Sequence, residues 1–118
     1  MEELRIEVIA GAAPNVRILR LMGPFTLTSM FDFQNIVREG TGSVTIIDLS
    51  GVPYMDSAAL GSLLGFHVSC QRESRRYAMV GVSGRIHTLL QVAGVDGFLV
   101  RYDTAGQAEQ QLAGAATA

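Results

Sequence analysis

The sequence has no lysine and no tryptophan, and only one cysteine, two histidines and three prolines in 118 residues. Each shortage closes off a chemistry. Without lysine there is no Schiff-base nucleophile and no phosphate-loop lysine. Cys70 has no second cysteine to pair with, so packing must hold the fold. One cysteine and two histidines are too few soft ligands for a closed structural zinc site; no metal or cofactor is expected. The nine cationic residues, all arginine, face eleven acidic ones for a net charge of −2, so no basic field captures nucleic acid or an anionic membrane. The longest apolar-rich stretch, Ala58 to Val68, is shorter than the roughly 20 residues of a membrane span. The opening Met-Glu-Glu-Leu-Arg does not resemble a secretory signal. The chain reads as one cytoplasmic domain over 1–118, with 113–118 as a tail that frays.

What is present is apolar. Hydrophobic residues make up 48% and charged ones 17%, too hydrophobic for disorder and enough for one core. Leu4, Ile6 and Val8 alternate with Arg5 and Glu7, the period-2 pattern of a half-buried strand. Residues 11–15 read as a turn, and Val16 to Leu21 as a second strand, paired with the first in an antiparallel hairpin and stopped by Gly23-Pro24. Thr28 or Ser29 caps a helix carrying Met30, Phe31, Phe33, Ile36 and Val37 and ended by Gly40. Val44 to Leu49 is a nearly continuous apolar run with Asp48 near its end, suited to a strand buried on both faces. After a loop with Gly51 and Pro53, a helix opens at Asp56 or Ser57 and runs to Ser74. Its apolar face is Leu60, Leu63, Leu64 and Val68, with His67 at the core edge, while Gly61 and Gly65 leave a bare strip. Tyr77 to Val82 is the next strand. Ser83 caps a helix with Ile86, Leu89, Leu90 and Val92, closed by Gly94. Phe98 to Val100 is a last short strand, and Thr104 caps a final helix through Leu112. The fold class is α/β, a mixed sheet with helices packed on it in the order β-β-α-β-α-β-α-β-α. Ligands and partners of such sheets gather at the carboxyl ends of strands, here Asp48 to Ser57.

Ser57 sits where a helix opens, beside unpaired backbone N–H groups and the positive end of the helix dipole. Two readings stand on these residues. Asp56 and Ser57 cap the helix and nothing more. Alternatively, Ser57 accepts a phosphoryl group that the N–H groups cradle, placing about −1.5 to −2 of charge beside Asp56.

The run from Ile47 through Asp48-Leu-Ser-Gly-Val-Pro-Tyr54-Met55-Asp56-Ser57-Ala58-Ala59-Leu60-Gly61 resembles the signature of the STAS domain, where a buried strand ends in Asp-Leu-Ser and leads to Met-Asp-Ser-Ser/Thr-Gly-Leu-Gly. In length the chain is similar to the free-standing bacterial anti-sigma factor antagonists of that family. The resemblance covers nearly the whole chain, including the stretch from Ile86 to Phe98. It implies a STAS-like sheet and a protein-binding switch in signal transduction and transcription regulation, not an enzyme. By position it makes Ser57 the residue phosphorylated by an anti-sigma factor that is also a serine kinase, and a phosphatase resets it. Asp48 supports the loop. The docking face comprises the loop Gly51 to Met55, with Tyr54 and Met55 as its apolar contacts, the helix start Asp56, Ser57, Ala58 and Ala59, and an outer strip of Ser62, Gly65 and Ser69. Two places depart from the family pattern: Ala58-Ala59 replace Ser/Thr-Gly, and Gly23-Pro24-Phe25-Thr26 replaces Gly-Glu-Leu-Asp after the second strand.

Rival readings have less behind them. A STAS scaffold or self-association module would use the same surface without covalent modification. A serine hydrolase lacks the Gly-x-Ser-x-Gly elbow, and His67, ten residues along the same helix, lies about 15 Å from Ser57. A phosphoacceptor receiver needs a lysine and an acidic first-strand end, whereas here that strand ends in Ala10-Gly11-Ala12. Gly81-Val-Ser83-Gly84-Arg85 has two glycines of a nucleotide fingerprint and suits a tight turn before a capped helix.

Overall fold

The computed structural model describes residues 3–39 and 43–117. The elements run β1 (Arg5–Ala10), β2 (Val16–Met22), α1 (Met30–Glu39), β3 (Val44–Gly51), α2 (Ser57–Arg72), β4 (Arg76–Val80), α3 (Gly84–Val92) and α4 (Ala105–Thr117). The strands form one four-stranded sheet in the order β1-β2-β3-β4. The β1–β2 hairpin is antiparallel and the β2–β3 and β3–β4 pairs are parallel. The α/β class and the mixed sheet are therefore as expected.

Each face of the sheet buries its own core. Leu19, Leu21, Ile47, Leu49 and Met79 point to one side and pack with Phe33 of α1, Leu63 and Phe66 of α2, and Ile86 and Leu90 of α3. Val16, Val44, Ile46, Ala78 and Val80 point to the other and meet Ala108 of α4. This double covering is why β3 reads as an unbroken apolar run instead of an alternating one. Arg17 reaches from β2 to the end of α1, donating from Nη1 to the Ile36 carbonyl (2.9 Å), from Nη2 to that of Val37 (2.8 Å) and from Nε to Thr45 Oγ1 (3.0 Å). It thereby satisfies carbonyls that a helix end leaves without intrahelical partners. Gly40, the helix stop expected from the sequence, lies outside the described residues.

The last strand is corrected. The backbone of segment 98–102 pairs with β4 at a single bridge, between Met79 and Arg101, held by Met79 N to the Val100 carbonyl (2.8 Å) and Tyr102 N to that of Met79 (3.0 Å). The segment leaves a turn in which Phe98 N donates to the Val95 carbonyl and enters α4 at Ala105, and a single bridge between those points does not make a strand. The apolar stripes also shift. On α2 the buried face is Ala59, Leu60, Leu63, Phe66 and Cys70, so Val68 is exposed instead of facing the sheet. Val8 and Phe31, expected inside, are 59% and 62% exposed, Val8 because β1 is an edge strand. Gly94 closes α3 with φ of +74°, the left-handed geometry that favours glycine at a helix end. Thr104 caps α4, accepting from Gln107 N at 3.1 Å. That helix passes Leu112, its expected end, and reaches Thr117; the expected fraying over 113–118 falls on side chains outside the described residues.

Candidate functional site

The parallel pair β3–β4 and the β2 strand beside it end at the same side of the sheet, and two loops meet there. Asp48, near the end of β3, accepts from Ser50 N on Oδ1 at 2.9 Å and faces Arg20 Nε at 3.7 Å. Gly81 (φ +68°) lies so close that a Cβ there would stand 2.8 Å from Ser50 and 3.0 Å from the Asp48 carboxylate. The supporting role expected of Asp48 is thus a backbone one: it shapes the loop that leads to α2.

That loop is joined to the one after β2. Phe25 pairs with Met55 in an isolated parallel bridge. Phe25 N donates to the Tyr54 carbonyl at 3.1 Å, and Asp56 N to the Phe25 carbonyl at 3.2 Å. Asp56 is the N-cap of α2, in extended geometry. Its Oδ1 accepts from Ala59 N at 2.9 Å and its Oδ2 from Leu27 N at 3.0 Å. One carboxylate therefore starts the helix and clamps the neighbouring loop.

Because Asp56 caps, Ser57 is left free of that duty. It is the first residue of α2, it is exposed, and among the described residues no hydrogen bond engages its hydroxyl. Tyr54 is 45% exposed, and Ala58 is half-buried. Three other expected contact residues are corrected. Met55 is buried because its bridge to Phe25 turns the side chain into the core, and Ala59 is buried because the third helical position faces the core. Ser62 is buried with its hydroxyl donating to the Ala59 carbonyl at 2.7 Å. Met55 and Ala59 present no side-chain surface to a partner, and Ser62 reaches only the floor of the groove between α1 and α2. Gly65 and Ser69 are exposed, as is Gly61. With Gln34, Arg38 and Arg75 they line a groove of about 450 Å³ between α1 and α2. A Cβ at Gly61 or Gly65 would meet nothing within 4 Å.

Leu27, on the loop that Asp56 clamps, and Phe31, in the first turn of α1, are 58% and 62% exposed. Phe31 is expected in the core and Leu27 carries no expectation from the sequence, yet both lie at the surface. Both are large apolar side chains off the buried stripe of Phe33 and Val37, and that mismatch is the signal that marks them as surface.

The remaining candidates are occupied elsewhere. Tyr77 OH accepts from Val100 N at 3.2 Å and shares a 2.7 Å hydrogen bond with His67 Nδ1. His87 is contacted by Arg101 and lies 3.6 Å from Asp96. Neither histidine bonds Ser57 among the described residues. Cys70 is buried, and burial pushes its thiol pKa up, which keeps it protonated and unreactive. Ser83 caps α3, accepting from Ile86 N at 3.3 Å, the tight-turn role that its sequence neighbourhood suggested. Among the described residues no helix is long and apolar enough to cross a membrane.

A sequence model of one family, the STAS domain, matches residues 7–108. No curated protein matches the chain. Solved structures share its fold. The anti-sigma factor antagonist SpoIIAA in its unphosphorylated form is 16% identical, with 93% of this chain and 97% of that one covered and a TM-score of 0.76. The phosphorylated form of the Bacillus protein gives 15%, 92%, 99% and 0.70 in the same order. An anti-sigma factor antagonist from Mycobacterium paratuberculosis gives 16%, 94%, 95% and 0.80. A sulfate transporter family protein from Wolinella succinogenes gives 22%, 92%, 93% and 0.79.

Proposed function

This chain belongs to the STAS domain family, and on that premise we propose that it is an anti-sigma factor antagonist controlled by phosphorylation of Ser57. It binds an anti-sigma factor with serine kinase activity, in the cytoplasm, through Tyr54, the α2 start and the strip Gly65–Ser69, joined by Leu27 and Phe31. The observation that carries the reading is the division of labour at the helix start: Asp56 does the capping, so the exposed Ser57 hydroxyl has no structural task. In the switch the kinase moves the γ-phosphoryl group of ATP to Ser57 Oγ, whose proton leaves to a base of the kinase, and ADP departs. The new charge, about −1.5 to −2, is attracted by the helix N-terminus and repelled by Asp56. It charges the docking face beside the carboxylate that caps α2 and holds Leu27 N. A phosphatase reverses the step.

The test is incubation with the cognate kinase and ATP followed by intact-mass measurement. One phosphoryl group is gained by the native chain and none by Ser57→Ala. Ser57→Ala retains partner binding, whereas Ser57→Asp loses it with the fold intact by circular dichroism. Equal binding by both variants overturns the switch. It would favour a scaffold that docks without modification, a reading supported by the missing hydroxyl at Ala58.

A further inference from the structure

We propose that the outer edge of β1 is a self-association surface, where a second copy of this chain adds its own β1 in antiparallel fashion and extends the sheet. The strand order leaves β1 bonded on one side only, to β2, so alternate residues of Arg5–Ala10 turn their N–H and C=O groups outward. Such an edge is a template for another strand unless its charges oppose one. Here the charges match themselves.

On the face that carries α4, the register sets Asp48 opposite Arg20 and Arg20 opposite Glu7. This row of alternating sign reaches the edge of the sheet on Glu7, which is exposed. Arg5, two residues away on the same face, is also exposed and lies opposite Met22. Neither Arg5 nor Glu7 forms an ion pair among the described residues. A two-fold axis at Ile6 sets Glu7 of each copy against Arg5 of the other, and both rows continue as Asp48–Arg20–Glu7–Arg5. Axes at the neighbouring residues are excluded by the same charges: one at Glu7 opposes two Glu7 carboxylates, and one at Arg5 opposes two guanidiniums. The Ile6 axis also places Leu4 of the second copy opposite Val8, covering a side chain that is 59% exposed. Directly opposed cross-strand pairs of this kind stabilise antiparallel sheets. Nothing in this pairing requires Ser57 to be modified, so its failure would leave the switch untouched.

Sedimentation equilibrium of the full chain over roughly 10 µM to 1 mM, the range suited to a small interface, tests the pairing. A reversible monomer–dimer equilibrium that weakens with added salt is expected. Arg5→Glu opposes like charges at both contacts and raises the dimer dissociation constant about tenfold or more. Since Arg5 has no charged residue opposite it within its own chain, this variant tests the contact without disturbing the row. Glu7→Arg does the same from the other side. An equimolar mixture of the two variants recovers the dimer, because the mixed pair opposes unlike charges at both contacts. A monomer throughout the range, a dimer indifferent to both substitutions, or no recovery on mixing overturns the proposal.

Discussion

At the scale of single residues, the molecule's polar groups are placed by how many neighbours each can serve. Asp56 uses both carboxylate oxygens, one on the helix it begins and one on Leu27 N of a different loop. Tyr77 is the counterpart inside the core. Its hydroxyl joins the segment after α3, through Val100 N, to His67 of α2, and burial pushes its pKa up to about 12 from 10.0. A raised pKa means that the folded state favours the neutral phenol. This contribution to stability is whole below pH 10, where the unfolded phenol is also neutral, and is lost as pH rises from about 10 through 12. Denaturation midpoints followed across that interval should fall, by up to about 3 kcal/mol in free energy. Tyr77→Phe should be less stable at neutral pH, by about 1–3 kcal/mol for the groups left unpaired, and its alkaline decline should be shallower. An alkaline decline equal to that of the native chain would remove Tyr77 from the account.

At the scale of elements, α2 shows a conflict between helix stability and surface shape. Gly61 and Gly65 lie inside a 16-residue helix, where glycine costs about 0.5–1 kcal/mol relative to alanine. Packing does not require them, since a Cβ at either would touch nothing within 4 Å. Gly61→Ala and Gly65→Ala should each raise the thermal midpoint. If the strip is kept bare for a partner that approaches closely, the same variants should bind it more weakly; stabilisation with undiminished binding would detach the glycines from docking. The elements themselves were largely legible in the sequence: the hairpin, the doubly buried β3, the capped starts of α2, α3 and α4 and the glycine end of α3 all follow from local rules. What misled was the phase of apolar stripes. On α2, Leu64 and Val68 fit a helical face as well as Phe66 and Cys70 do, and only the sheet beneath decides between them. Segment 98–102 has strand-forming residues, but it is held at its ends by a turn and a helix start that tertiary packing positions.

At the scale of the whole molecule, the candidate site exists because two loops far apart in sequence are zipped together at the carboxyl end of the sheet. Sequence motifs reveal Ser57 and Asp56, yet they cannot show that Met55 and Ala59 turn inward or that Leu27 and Phe31 turn outward, since those orientations depend on the bridge between Phe25 and Met55. That bridge is itself anchored in an aromatic chain through the core. Phe25 and Phe33 have ring centroids 5.1 Å apart, Phe33 and Phe66 6.3 Å, and Phe66 and Tyr77 5.7 Å. Phe33 is the link between the loop beneath the site and the helix that carries it, and it is wholly buried. Phe33→Ala should cost about 3–5 kcal/mol, a large share of the roughly 5–15 kcal/mol that holds a domain folded, measured as a fall in the urea midpoint. Phe33→Leu keeps most of the volume and should cost less. Because the lost contacts face Phe25, amide exchange at Leu27 and Asp56 should quicken in Phe33→Leu before global unfolding does. Equal acceleration throughout the chain would mean that the aromatic chain supports the core without any particular hold on the site.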